Sequence, residues 1–346
     1  MAGYNLILML GIALALEARA DAQTPRISRP RPAPPGPSTL PPLPPAVIDD
    51  KLAIGGDAVK ARRVESRLTV EVQVNGRGPY QFLVDSGADT SVVSVRIARN
   101  LHLPLGTPVV LNGMTDRNIV DRVKVDSLSL GPSTISNLQL PALREEDVGA
   151  DGIIGIDALV RRRLMMDFDK RIIKVEDAIK PQRSYPDEIV ITAKRRRGQL
   201  ILTEVKAGDL SLDAVIDTGS EITIGNLLLR DKLVRRRQKF EVLEAIGVTG
   251  KRVSLQVARI PQLRIGRLLV RNLPVAFADL PPFEVFGLAD QPALLLGTDL
   301  LKTFRRVSLD FHARKVRFQP RGCNSDLFVI RTSSSPQLGT SEDCAR

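Results

Sequence analysis

The sequence contains no tryptophan, only two histidines and only two cysteines, and aromatic residues make up 4% of it. His102 and His312 stand apart without the spacing of metal ligands, so the sequence indicates neither a metal site nor a Cys/His nucleophile. With few aromatic residues and no recognisable nucleic-acid motif, nucleic-acid binding is disfavoured. Leu, Val and Ile must therefore build the hydrophobic core.

Long apolar runs are also scarce. Residues 6–16 form one that is too short to span a bilayer, and two small-x-small cleavage sites follow it, Ala18-Arg19-Ala20 and Ala20-Asp21-Ala22. We therefore predict a signal peptide over residues 1–22 and a periplasmic or secreted protein. The alternative is a buried N-terminal helix, but the proline-rich stretch that follows gives such a helix nothing to pack against. No later segment is long and apolar enough for a membrane helix.

Residues 24–45 are dominated by proline, with arginine, serine and glycine. Such a composition cannot bury a core, so we predict a disordered linker over residues 23–50. It would serve as a plain tether or as a pro-segment.

The formal charge is +11, and three arginine-rich clusters are spread along the chain, at residues 161–163, 194–197 and 235–237. Each cluster is interpreted first as a solvated loop or helix end. The functional alternative is attraction to acidic substrates or to an anionic membrane surface.

Both cysteines, Cys323 and Cys344, lie in the Ser/Thr-rich tail. In an oxidising compartment, a disulfide that pins this tail is the simplest interpretation of the pair.

The rest of the chain is long enough for two domains of ordinary size. Short β-branched runs separated by Gly, Pro, Asn and Asp predict mostly β structure. Two apolar strands run directly into an acidic turn, Phe82-Leu83-Val84-Asp85-Ser86-Gly87-Ala88 and Ala214-Val215-Ile216-Asp217-Thr218-Gly219-Ser220. One such stretch alone is often a plain turn, but two copies carry more weight.

The surroundings of the two stretches also match. Each is followed by an apolar pair, Gly, any residue and Asp, as Ile153-Ile154-Gly155-Ile156-Asp157 and as Leu295-Leu296-Gly297-Thr298-Asp299. Each copy then passes through a basic stretch into Asp-Phe. We infer an internal duplication, because several features recur in one order.

Asp-Ser/Thr-Gly followed by apolar-apolar-Gly is the signature of aspartic proteases, and from Leu52 to Gln319 the chain resembles the bacterial two-lobe, single-chain, retropepsin-like type. The resemblance implies a mostly β fold with two β-barrel lobes related by a pseudo-two-fold axis and few short helices. It divides the chain into an N-terminal lobe (51–180), a connector (181–198), a C-terminal lobe (199–320) and a tail (321–346).

The resemblance also implies roles for individual residues. Asp85 and Asp217 would be the catalytic pair, and the residues that support their loops would be Ser86, Gly87, Ala88, Thr218, Gly219 and Ser220. Ser86 and Thr218 are expected to hydrogen-bond across the lobe interface. The flap candidates are Gly113, Met114 and Thr115 in the first lobe and Gly247, Val248 and Thr249 in the second. No cofactor is implied.

The sequence departs from the retroviral pattern, which has Arg after apolar-apolar-Gly, where this chain has Ile156-Asp157 and Thr298-Asp299. The two loops also differ, since Ser220 carries a hydroxyl where Ala88 has none. We expect the Ser220 hydroxyl to donate to Asp217 and to make it the ionised partner.

The leading hypothesis is an aspartic endopeptidase that hydrolyses polypeptides as a monomer with an internal pseudo-dimer. The alternatives are a non-catalytic peptide-binding protein with the same fold and an interaction scaffold anchored by its basic face and proline-rich arm. Both Asp-Ser/Thr-Gly sites are intact, which favours the enzyme.

Overall fold

The computed structural model describes residues 26–34, 47–48, 58–60, 62–64, 67–321 and 328–331, with breaks at 132, 160–161, 179–184, 186, 197 and 234–239. The predicted signal peptide, most of the linker and both cysteines lie outside these residues. The described parts of the linker correct the expectation of disorder, because Arg31–Pro32 and Val47–Ile48 each pair with a strand of the first lobe. Among the helices described, none has the length and apolar character needed to cross a bilayer. The expected fold class is confirmed, since the structure is mostly β with two lobes.

The first lobe contains a three-stranded and an eight-stranded sheet. The strands of these two sheets are β1 (Arg31–Pro32), β2 (Val47–Ile48), β4 (Arg62–Val64), β5 (Arg67–Val74), β6 (Arg77–Val84), β7 (Val92–Ser94), β8 (Val109–Asn112), β9 (Arg117–Val120), β10 (Arg122–Leu130), β11 (Ser133–Leu143) and β12 (Gly152–Ile154). The turn between β5 and β6 contains Asn75 and Gly76, which both take positive φ angles, as a tight hairpin requires.

The second lobe is built on a nine-stranded sheet. Its strands are β16 (Lys194–Arg196), β17 (Gln199–Ala207), β18 (Leu210–Ile216), β19 (Ile224–Gly225), β20 (Glu241–Ile246), β21 (Arg252–Ile265), β22 (Leu268–Phe277), β23 (Ala293–Leu296) and β26 (Phe328–Arg331). β17 and β18 form the second copy of the β5–β6 hairpin.

A further sheet of six strands joins the two halves of the chain, in the order β15-β25-β24-β13-β14-β3. Its strands are β3 (Ala58–Lys60), β13 (Arg162–Asp167), β14 (Ile172–Asp177), β15 (Ile189–Thr192), β24 (Arg306–Asp310) and β25 (Lys315–Gln319). β15 lies in the connector and pairs with β25.

Arg162 and Arg163 correct the expectation that the basic clusters are solvated, because both side chains are buried in β13. Arg163 pairs with Asp310 of β24 at 3.1 Å, across the junction of the two halves. A buried charge is tolerated when it is paired in this way.

The six helices described are all short: α1 (Val95–Asn100), α2 (Glu145–Val148), α3 (Ile156–Leu159), α4 (Leu227–Leu233), α5 (Pro281–Val285) and α6 (Thr298–Leu301). Asn226 caps α4, since its Oδ1 accepts from the Leu229 N–H at 3.0 Å.

The same pairing of parallel strands occurs in both lobes. β12 runs parallel to β6, with Ile154 opposite Val84, and β23 runs parallel to β18, with Leu296 opposite Ile216. Because β6 and β18 each end at an aspartate, this repeated topology delivers one aspartate from each lobe to an equivalent position. The inferred duplication is therefore a duplication of structure.

Candidate active site

The loops that follow β6 and β18 hold their aspartates in the same way. Asp85 Oδ1 accepts from the backbone N–H groups of Gly87 and Ala88, at 2.8 and 3.1 Å. Asp217 Oδ1 accepts from the equivalent groups of Gly219 and Ser220, at 3.0 and 3.1 Å. One oxygen of each carboxyl group is thus fixed by its own loop.

Each carboxyl group lies against the glycine of the opposite loop. A Cβ atom on Gly219 would stand 2.2 Å from Asp85 Cγ, and one on Gly87 would stand 2.8 Å from Asp217 Cγ. Both distances are shorter than a side chain allows, so only glycine fits. The two carboxyl groups are hydrogen-bonded to each other.

Burial and the neighbouring Asp85 carboxylate raise the pKa of Asp217 to about 8, although the Ser220 and Gly219 N–H groups act in the opposite direction. Two adjacent carboxyl groups cannot both ionise without strong repulsion, so the pair retains a proton.

The expected hydrogen bond from the Ser220 hydroxyl to Asp217 is absent. That hydroxyl donates instead to the Ile222 carbonyl at 2.8 Å, within its own turn. Ser220 reaches Asp217 through its backbone N–H, as Ala88 reaches Asp85. The predicted asymmetry, with Asp217 as the ionised partner, therefore loses its basis.

Ser86 and Thr218 hydrogen-bond across the lobe interface, as the resemblance implied. The Ser86 N–H donates to Thr218 Oγ1 at 2.9 Å, and this hydroxyl donates to the Val84 carbonyl at 2.7 Å. In return, the Thr218 N–H donates to Ser86 Oγ at 3.2 Å, and Ser86 Oγ donates to the Ile216 carbonyl at 2.8 Å. Both side chains are buried, so these four bonds hold the loops together out of water.

Gly155 and Gly297 lie behind the loops, where a Cβ atom would stand 2.5 Å from the Thr90 carbonyl carbon or 2.4 Å from that of Ile222. The chain next to each glycine supports its loop. The Asp85 N–H donates to the Ile154 carbonyl at 2.9 Å, and the Asp217 N–H donates to the Leu296 carbonyl at 3.0 Å.

Asp157 and Asp299, which depart from the retroviral pattern, also brace the loops. Asp157 accepts from the Ser91 hydroxyl at 2.7 Å, and that hydroxyl in turn accepts from the Gly155 N–H at 3.0 Å. In the second lobe, Asp299 accepts from the Thr223 hydroxyl at 2.7 Å, and that hydroxyl accepts from the Gly297 N–H at 3.2 Å.

Burial raises the pKa of both Asp157 and Asp299, against the effect of the bonds that they accept. The sequence analysis missed their hydroxyl partners. The available signal was spacing, since Ser91 and Thr223 each lie six residues after an aspartate, Asp85 or Asp217.

Both flap candidates are hairpin tips, between β8 and β9 and between β20 and β21. The tips meet, because Thr249 Oγ1 donates to the Asp116 carboxylate, 2.7 Å from Oδ1 and 2.8 Å from Oδ2. Met114 packs against an apolar cluster of the second lobe, and Val248 packs against one of the first. Asp116 is a partner that the sequence analysis did not single out.

No group of three or more His, Cys, Asp or Glu side chains within the described ranges is arranged to hold a metal ion.

The model of the aspartyl protease family matches residues 70–158 and 203–300, which is one match in each lobe and together more than half of the chain. The chain belongs to this family, and it is of the retropepsin-like kind. Membership implies a hydrolase of the protease class that acts on polypeptides. No curated protein matches the chain significantly.

Proposed function

We propose that the protein is an aspartic endopeptidase in which Asp85 and Asp217 jointly activate a water molecule for attack on a peptide bond. The observation that carries this proposal is the pair of hydrogen-bonded carboxyl groups, one from each copy of the duplicated loop, each packed on the other loop's glycine.

The chemistry follows from one proton shared by two carboxyl groups, which is the known arrangement of aspartic proteases. The ionised carboxylate takes a proton from the water as the water oxygen bonds to the scissile carbonyl carbon. The protonated carboxyl donates to the carbonyl oxygen, which becomes a hydroxyl of the tetrahedral intermediate. When the C–N bond breaks, the carboxyl that took the water proton gives it to the departing amine, and the intermediate hydroxyl returns its proton to the other carboxylate.

The bonds described above suit this task because they fix one oxygen of each carboxyl group and the distance between the loops. A dyad that is held in place before substrate binds avoids reorganisation during the reaction. The flap tips would cover a bound polypeptide.

We also propose that one chain forms a complete site and that the protein works after export to the periplasm. The duplication on one polypeptide and the Ser86–Thr218 bonds within one chain support the first proposal. The apolar run and the cleavage sites of residues 1–22 support the second. We further propose that exposed basic residues such as Lys194 and Arg195 attract the protein to an anionic membrane surface.

The test is digestion of a peptide library by purified mature protein, beside Asp85→Asn and Asp217→Asn. Each substitution removes one carboxyl group and should lower kcat/KM by about 10²-fold or more, since general acid–base catalysis contributes that much. The matched control is Asp209→Asn, an exposed aspartate in the β17–β18 turn. Substantial cleavage by either folded dyad variant would refute the dyad.

A folded wild-type protein that binds peptides without cleaving any would instead favour the peptide-binding alternative. For the single-chain proposal, Asp85→Asn and Asp217→Asn chains are mixed. Activity that returns on mixing would show that the site forms between two chains.

A further inference from the structure

Gln199, the first residue of β17 in the second lobe, is fully buried. Its Nε2 group donates to the Asp89 carboxylate at 2.7 Å and to the Gly87 carbonyl at 3.2 Å. Both acceptors belong to the loop of the first lobe that carries Asp85. The Gln199 side chain therefore crosses from one lobe to the active-site loop of the other.

The position of Gln199 relative to Asp217 follows from strand register. β17 and β18 pair with Ile201 opposite Val215 and Leu202 opposite Ala214. Continuing that register by two residues places Gln199 opposite Asp217. The second lobe thus holds Gly87 at two neighbouring points, against the Asp217 carboxyl group and through the Gln199 amide.

Packing alone does not explain an amide at this position. The Gln199 Oε1 atom is buried without a hydrogen-bond partner, and a buried acceptor in that state destabilises the folded protein. Leucine would fill similar space without this cost. What leucine cannot supply are the two hydrogen bonds that the amide donates across the lobes.

We propose that Gln199 is a positioning residue of the active site, which holds the Gly87 backbone against Asp217 and so sets the spacing of the two carboxyl groups. It acts through Gly87 and takes no part in bond making. This inference rests on the proposed function, because spacing matters only if the two carboxyl groups act together. Displacements of about 1 Å at such a site can cost 10²-fold in rate.

The first experiment compares Gln199→Leu with Gln319→Leu in the full mature chain. Gln319 is a matched control, since it is also buried with an unpartnered Oε1, but it lies in β25 of the six-stranded sheet. Gln199→Leu should lower kcat about tenfold or more, with KM little changed and thermal stability no lower than that of the wild type. Gln319→Leu should leave kcat and KM at wild-type values.

The second experiment uses Gln199→Glu, which keeps the shape of the side chain. A protonated Glu can still donate one hydrogen bond to Gly87, whereas an ionised Glu cannot donate and also faces the Asp89 carboxylate. The loss of kcat relative to wild type should therefore grow as pH rises, which a merely structural role would not produce.

Outcomes separate the inference from the proposed function. An active wild type with a folded, fully active Gln199→Leu variant would overturn the inference alone, as would equal losses in both leucine variants or a pH-independent loss in Gln199→Glu. A folded wild type that cleaves no peptide would overturn the proposed function and the inference with it.

Discussion

The hydroxyl of Thr249, in one flap, donates a hydrogen bond to the carboxylate of Asp116, in the other, at 2.7 Å. The two flaps are therefore joined tip to tip by a polar contact, and each also sends an apolar side chain to the opposite lobe. In the function proposed above, a polypeptide that enters between these two hairpins must break or bypass this contact.

Thr249→Val is expected to loosen the flap tips, because valine has the same shape and cannot donate. Hydrogen bonds to charged groups contribute about 1.5–3 kcal/mol, and partial exposure reduces that figure here. The Gly113 and Gly250 amides, which close the two tips, should exchange with deuterium several-fold faster. Thr192→Val, at an exposed strand position, is the control. Unchanged exchange at both tips would show that the Thr249–Asp116 hydrogen bond does not hold the tips together.

Asp217→Asn is expected to make the protein more stable at pH 8 and nearly unchanged at pH 4. The pKa of Asp217 is raised to about 8 in the folded state from an ordinary value of 3.8. The group therefore contributes stability below about pH 4, which is lost as pH rises toward 8, and asparagine has no such loss. Melting temperatures at pH 4, 6 and 8 test this, with Asp209→Asn as the control. A difference in melting temperature between Asp217→Asn and the wild type that does not grow with pH would contradict the raised pKa of Asp217.

Ser220→Ala is expected to leave the acid limb of the pH–rate profile where it is, because the Ser220 hydroxyl bonds to the Ile222 carbonyl and not to Asp217. Thr218→Val, by contrast, removes a hydroxyl that bonds across the lobes to Val84 and Ser86, and it should lower both kcat and stability. The measurement is kcat/KM against pH on one peptide. A displaced acid limb in Ser220→Ala would restore the idea that this hydroxyl tunes the dyad.

Gly219→Ala is expected to abolish most activity, since its Cβ would stand 2.2 Å from Asp85 Cγ and must displace that carboxyl group. Overpacking of this kind costs about 1–3 kcal/mol of stability. Gly106→Ala is a suitable control, because its Cβ would meet only the end of the Gln139 side chain, which can move aside. Wild-type turnover by Gly219→Ala would mean that Asp85 tolerates displacement.

Features encoded in short stretches could be predicted from the sequence. A few adjacent residues determine each of these features, which are the two Asp-Ser/Thr-Gly loops, the Asn75-Gly76 turn and the Asn226 cap. The duplication could be inferred because such stretches recur in the same order. The bracing of Asp157 by Ser91 could have been found in the same way, because Thr223 and Asp299 repeat it in the second lobe.

Contacts between distant residues could not be predicted in this way. Gln199 and Asp89 are 110 residues apart, and Thr249 and Asp116 are 133 apart, so neither pair leaves a local pattern. The Ser220 expectation failed for a related reason. A hydroxyl next to a carboxylate has several acceptors within reach, and the course of the backbone through Ile222 decides which one it uses.

The six-stranded sheet has a consequence for how the chain can be divided. β13 of the first half pairs with β24 of the second, and a buried Arg163–Asp310 ion pair crosses that junction. β15, from the connector, is paired on the second half as well. The two fragments of a chain cleaved between residues 178 and 185 would therefore stay associated under native conditions. Either half produced alone would expose a sheet edge that only the other half can cover. The two lobes would behave as complementing fragments rather than as domains that fold by themselves.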